Sequence, residues 1–244
     1  MSLSGVLWRQ NRGYTSRFSK ATPIQSFNVN GFNVAPSTSV RSLGVTLDRH
    51  LQMSEHVNSL CKSAFFSLKN ISKIRKFLNH ENTERLVHAF ISSKIDYCNS
   101  ILYGLPGEEL DKIQRVQNAA ARLVTKNKKF TNITPVLTRL HWLPVKARID
   151  YKIILTVFKA LNNMTPDYIL ELLQIYNPPR SLRSSNQNLL IIPKTATKTY
   201  GDRAFYSAAP TLWNNIPQSI RNCQTLHSFK SNLKTYLFRK YYNI

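Results

Sequence analysis

The chain has 244 residues, 42% hydrophobic and 11% aromatic, which is enough for a real core and unlike a disordered composition. Thirty-four Lys and Arg stand against twelve Asp and Glu, a formal net charge of +22, and self-repulsion of that size opposes compaction unless a polyanion neutralises it. Phosphate backbones do so, and the counterions they release drive association. No apolar run approaches the ~18 residues of a membrane span. Three cysteines without paired spacing (Cys61, Cys98, Cys223) argue against a disulfide scaffold and for a reducing, cytoplasmic or nuclear compartment.

Residues 1–22 show no sustained period and read as a loose tail whose basic, Ser/Thr-rich composition a mitochondrial presequence shares. From Phe27 to Val34 apolar and polar residues alternate around Asn30-Gly31, a dipeptide that accepts positive φ at both turn positions and predicts a tight hairpin. Val40 to Leu47 reads as a third strand with Gly44 inside it, where a missing side chain lets another backbone or a ligand approach. From about residue 51 the period becomes helical: Leu51, Val57, Leu60, Phe65 and Leu68 mark one helix, and Leu86, Val87, Phe90 and Ile91 begin a second near Asn82. A third begins at Leu110. Stepping about 100° per residue puts Ile113, Gln117, Ala120, Ala121 and Val124 on one face, and Lys112, Arg115, Arg122 and Lys126 on the opposite one.

Pro144 suits the first turn of a helix buried through Ile149, Ile153, Ile154, Val157, Phe158 and Leu161, with Arg148, Lys152 and Lys159 on its narrow polar face. Pro166 opens a shorter helix to about Leu173. After Pro178-Pro179 the chain carries ten basic residues against the single acid Asp202. There Leu189 to Ile192 reads as a strand, and Leu226 to Lys240 as a helix buried through Leu226, Phe229, Leu233 and Leu237. The expected fold is mainly α. A small three-strand β element (residues 23–50) leads into a three-helix bundle (51–130), further helices (131–176) and a basic helical region with a short β segment (177–244).

Catalytic chemistry is thinly supplied. Two-metal sites use several carboxylates, often as close pairs, whereas no two Asp are adjacent here and Glu108-Glu109 sits where a helix N-terminus favours acids. Asp96, Asp150 and Asp202 stand alone and read as caps or ion-pair partners. Cys223 and His227 make half of a zinc site. His141 reads as packing beside Trp142, and neither a phosphate-cradling glycine loop nor a nucleophile elbow is present. What remains is basic residues mixed with aromatics, which suits phosphates and unpaired bases. Arg180, Arg183 and Arg203 supply the charge near the C-terminus, with Trp213, Tyr236, Arg239, Tyr241 and Tyr242.

Several strings, taken in order, resemble the reverse transcriptases of non-LTR (LINE-type, jockey-superfamily-like) retrotransposons. Ser42-Leu43-Gly44-Val45-Thr46-Leu47-Asp48 is similar to the segment after their catalytic palm. Ile95-Asp96-Tyr97-Cys98-Asn99 and Tyr103-Gly104-Leu105-Pro106 resemble their thumb. Val116-Gln117-Asn118-Ala119-Ala120-Ala121-Arg122-Leu123, Leu140-His141-Trp142-Leu143-Pro144-Val145 and Phe158-Lys159-Ala160-Leu161 follow. Leu182-Arg183-Ser184, Gly201-Asp202-Arg203, Ala209-Pro210-Thr211-Leu212-Trp213-Asn214 and Phe229-Lys230-Ser231-Asn232-Leu233-Lys234 complete the series.

The resemblance implies that residues 27–48 correspond to a primer grip, with Arg41 and Gly44 as candidate contacts, and the three helices to a thumb that clamps template and primer. The family's catalytic aspartates lie upstream of Leu43 and are absent, as are fingers and endonuclease, so it also implies no polymerase activity and no metal or cofactor. The expected function is sequence-independent binding of RNA or RNA/DNA primer–template, with a full-length reverse transcriptase in trans as a further partner and no membrane role. The alternatives are a non-functional truncated retroelement product and a domesticated protein-interaction module.

Overall fold

The computed structural model describes residues 26–178 and 187–244, and the chain divides into two units, Met1–Thr38 and Ser39–Ile244. In the first, β1 (Phe27–Val29) pairs antiparallel with β2 (Phe32–Val34), and Asn30-Gly31 turns between them at φ 50° and 87°. The Asn28 carboxamide oxygen accepts from Gly31 N at 3.0 Å, closing the tight two-residue turn that Asn-Gly favours.

The second unit also opens on a hairpin. β3 (Ser39–Ser42) pairs with β4 (Val45–Asp48), and Leu43-Gly44 forms the turn at φ 46° and 80°. The single strand expected over Val40–Leu47 is therefore two, and the described residues open with four strands instead of three. A Cβ on Gly44 would lie 3.5 Å from Tyr97 Cε1, an ordinary contact, so the positive φ and not lack of space is what asks for glycine. The Tyr97 hydroxyl donates to Leu43 O at 2.7 Å and holds the tip against the helices.

The Asp48 carboxylate takes the backbone N–H groups of His50, Gln52 and Met53 and turns the chain into α1 (Ser54–Ile74). Burial pushes the other way, yet those donors, Gln52 and Met53 foremost, hold its pKa below the ordinary carboxylate value. α1 buries His56, Val57, Ala64, Leu68 and Ile71. Leu51 and Phe65, expected on this buried face, are exposed (Phe65 by 44%), because Phe65 sits a 100° step beyond Ala64. Asn79 caps α2 (His80–Val87) by accepting from Asn82 N. A π-helical turn, His88–Ser92, then continues α2 into α3 (Ser93–Asp96). Phe90 points outward there.

α4 (Gly107–Thr125) buries Ile113, Val116, Gln117, Ala120, Ala121 and Val124 and packs against α1 and α2, completing a three-helix bundle. α5 (Ile133–Arg139) leads to α6 (Val145–Leu161), which is buried on most sides and packs against α3 and α4 on one flank. On the other flank lie α8 (Phe205–Asn214) and α10 (Leu226–Tyr242). Phe158 of α6 stacks on Phe229 of α10 with ring centroids 4.0 Å apart. α7 (Asp167–Leu170) and α9 (Gln218–Arg221) are single turns, and α7 is shorter than the helix expected to Leu173.

Of the strand expected over Leu189–Ile192 one bridge remains, Leu190 to Ile175, because the Asn214 carboxamide takes both backbone groups of Leu190 in place of a neighbouring strand. The core runs without a break from Val45 to Leu237, and the chain is mainly helical. No helix among the described residues is long and apolar enough to cross a membrane.

Candidate nucleic-acid interface

Arginines and one lysine take up much of the interior charge as cross-links to backbone oxygens. Arg75, buried, donates to Leu78 O, Leu123 O and Val124 O at 2.7–3.0 Å, so it ties the end of α1 to the unpaired carbonyls at the end of α4. Arg221 holds Gln187 O, Asn214 O and Ile216 O. Lys94 spans Ser63 and Ser67 of α1.

Two of the expected contacts belong to this group. Arg203 donates to Tyr103 O and Leu51 O, both at 3.1 Å, and its stem lies over Gly104, where a Cβ would come within 2.5 Å of it. Arg148 pairs with Asp96 at 2.7 Å and bonds Leu143 O. The C-terminal aromatics are engaged as well, Trp213 buried and Tyr236, Tyr241 and Tyr242 half-buried. Trp213 is buried with its indole N–H on Asn188 O, and the hydroxyls of Tyr236, Tyr241 and Tyr242 bond Asn215 O, Asp150 and Trp142 O. Their use as open stacking platforms for bases is therefore corrected: the polar tips serve as fasteners for α8 and α10.

The acids are mostly engaged. Asp150 is 5% exposed; burial raises its pKa, while the Tyr241 hydroxyl, Lys240 and Lys146 pull it back down. Asp96 holds Arg148, and Asp202 accepts from Thr195 Oγ1. Among the described residues only Arg85, Lys112 and Arg148, of all the Lys and Arg, pair with a carboxylate. No group of three His, Cys, Asp or Glu among them is placed to hold a metal ion. Cys223 instead sits between Ser219 O and the Asn232 carboxamide. The exposed His141 ring meets Phe238 with centroids 5.8 Å apart, and Trp142 meets His88.

The free charge gathers along two parallel helices. Ser54 of α1 bonds Glu109 of α4, Lys112 reaches Asn58 at 3.2 Å, and Arg75 meets the last carbonyls of α4, so α1 and α4 run side by side in the same direction. The α4 stripe is uneven. Lys112 is drawn to Glu109 at 2.9 Å, and Arg122 is half-buried, its Nε without a partner. Arg115 and Lys126 are exposed, Lys126 in the left-handed conformation that caps the helix.

Beside this stripe lies a second, on α1, that was not among the expected contacts. Lys62, Phe66, Lys69 and Lys73 of α1 are all exposed and fall within about 60° of one another on the helical wheel, roughly opposite Val57, Ala64 and Ile71. Lys76 lies over the ring of Phe77, itself 78% exposed, and Lys128, Lys129 and Phe130, which follow α4 in the chain, are exposed as well. At 21 residues α1 is about 30 Å long, close to one turn of a duplex. The i, i+4, i+7, i+11 spacing of those four residues is present in the sequence, but the apolar period of the same helix is the stronger pattern and masks it.

Arg41 and Gly44 line an open groove of about 520 Å³ between the β3–β4 hairpin and α1, with Lys94, His56 and Tyr97. Burial pushes the His56 pKa down, and its Nδ1 accepts from Thr46 N at 3.5 Å. Lys152 is exposed and Lys159 half-buried on α6, away from the α1–α4 pair. Arg180 and Arg183 lie outside the described residues. The expected contacts thus separate into the α1–α4 face, the hairpin groove, the α6 surface and the structural cross-links. Comparison with protein-family models, curated proteins and solved structures returns no match.

Proposed function

We propose that this chain binds nucleic acid through its phosphates, independently of sequence, and that the α1–α4 face with the adjoining hairpin groove is the binding surface. The observation that carries the reading is the line of unpaired lysines on α1, interleaved with exposed Phe66 and Phe77 and flanked by Arg115 and Lys126. Lysines fix phosphates without reading bases, and exposed aromatic rings accept any base by stacking. Basic residues in the last turn of a helix also complement its dipole. That accounts for Lys73 and Lys126 but not for Lys62, Lys69 or Arg115.

The resemblance to LINE-type reverse transcriptases supports the same assignment, with the helices acting as a thumb on RNA or primer–template and the hairpin as a primer grip. A full-length reverse transcriptase in trans is a compatible partner. The residues carry out binding alone in this proposal, since Asp48, Asp96, Asp150 and Asp202 all serve as structural acceptors. The interaction-module alternative rested on the C-terminal aromatics, which are turned inward.

Fluorescence anisotropy with a labelled 20-nucleotide RNA tests the proposal. With about six phosphates neutralised and a slope of about −0.7 for each on a single strand, affinity should fall by a factor of about 300 between 50 and 200 mM salt. A Kd unchanged over that range would refute it.

A further inference from the structure

The thumb-like Ile95-Asp96-Tyr97-Cys98-Asn99 string and the Leu140-His141-Trp142-Leu143-Pro144-Val145 string lie 40 residues apart, yet both line one cavity of about 420 Å³ on the flank of α6. That volume is within the range of sites for small organic ligands, about 300–1,000 Å³. The walls are held from several directions. Leu143 O accepts from Gln117 Nε2 at 2.8 Å and from Arg148 Nε at 3.0 Å, and Trp142 O accepts from the Tyr242 hydroxyl at 2.6 Å. Such a site is preformed and need not be ordered by its ligand.

Three observations describe what would fit. Both carboxylates at the cavity are occupied: Asp96 by Arg148, and Glu84 by the Trp142 indole N–H at 3.3 Å and His88 Nε2 at 3.5 Å. Lys152 of α6 and Lys234 of α10 also line it, are exposed, and pair with no carboxylate among the described residues, so the charge left over is positive. Finally, Asn99 is 3% exposed at the cavity wall and its Oδ1 has no hydrogen-bond partner. Since Oδ1 itself has almost no accessible surface, a ligand N–H reaches it once the carboxamide turns toward the cavity, and the pairing then recovers the free energy that a buried unpaired acceptor costs. Leu143, Leu155 and the Tyr151 ring add an apolar surface suited to a planar ring.

We infer that this cavity is a site for a single nucleotide, with Lys152 and Lys234 on the phosphate and Asn99 on a donor N–H of the base. The inference rests on the proposed nucleic-acid function only for the source of the nucleotide, which is either free in solution or the end of a bound strand. Calorimetric titration of the full chain with adenosine 5′-monophosphate, inorganic phosphate and a 5′-phosphorylated 12-nucleotide RNA separates these sources. Saturable binding of the monophosphate assigns the free nucleotide. Binding of the RNA alone, with a component that persists when Lys62, Lys69 and Lys73 are neutralised and is lost when the 5′-phosphate is removed, assigns the strand end.

In either case Lys152→Gln/Lys234→Gln should weaken the binding assigned to the cavity at least tenfold, whereas neutralising Lys62, Lys69 and Lys73 should leave the monophosphate titration within twofold. Asn99→Ala, which removes an atom without a partner in the free protein, should weaken the monophosphate and leave inorganic phosphate unchanged. Titrations insensitive to the lysine pair, or inorganic phosphate binding as tightly as the nucleotide, would overturn the assignment. Failure here with intact salt-dependent RNA binding removes the cavity alone, and the reverse pattern removes the α1–α4 face alone.

Discussion

Replacing Arg75 with Met removes the guanidinium that joins the ends of α1 and α4 while keeping most of the stem that packs beneath it. In the native protein its N–H groups satisfy three carbonyls, two of which, Leu123 O and Val124 O, lie in the last turn of α4 where no intrahelical partner exists. Hydrogen bonds from a charged donor contribute about 1.5–3 kcal/mol each, but the three share one group and do not add fully. Together with the carbonyls left buried, which cost about 1–3 kcal/mol each when unpaired, the loss should be about 3–5 kcal/mol. Urea unfolding followed by far-UV circular dichroism measures it as a shift in midpoint at constant slope. A loss below about 1 kcal/mol, the size of an ordinary hydrogen bond, would show that Arg75 does not set the parallel alignment on which the basic face depends.

Gly44→Ala should cost about 1–2 kcal/mol, the penalty of a side chain in the left-handed region, while Gly44→Asn should cost less because asparagine tolerates that region better. Equal urea midpoints for native protein and Gly44→Ala would contradict the turn at Leu43-Gly44. The raised pKa of Asp150 means that the fold favours its neutral form, so its contribution is complete below the ordinary carboxylate value and is lost as pH rises through the folded value. The stability of native protein relative to Asp150→Asn should therefore decline as pH rises from that range toward neutrality. Parallel curves for the two proteins would refute it.

The α4 face was legible because Ile113, Gln117, Ala120, Ala121 and Val124 recur at the helical period without interruption, and every one of them is buried. The same period marked α6 and α10, where Phe229, Leu233 and Leu237 enter the core. Less visible was the turn at Leu43-Gly44, since the alternation of Val40, Ser42, Val45 and Leu47 reads like one strand broken by a glycine. α8 was hidden by Pro210, which has no N–H to give to the helix and reads as a helix breaker.

Long-range partners left no local trace. Arg203 and Arg148 read as free cations until the structure sets them against Tyr103 O, Leu51 O and Asp96. Tyr241 and Tyr242 looked available for stacking until α10 packs on α6 and the 140–143 loop. Net charge raises the expectation of a polyanionic partner; only the tertiary placement of each cation separates those that face solvent from those that hold the fold together.

The most direct measurement is the salt dependence of duplex binding by a variant in which Lys62, Lys69, Lys73 and Arg115 are all replaced by Gln. Every phosphate that is no longer neutralised should reduce the slope of log K against log salt by about 0.9, so the variant should fall short of the native slope by about 3.6. Its thermal midpoint should stay near the native one, because all four side chains are exposed and pair with no carboxylate. A variant that keeps the native slope and affinity would contradict the assignment of α1 and α4 as the nucleic-acid surface.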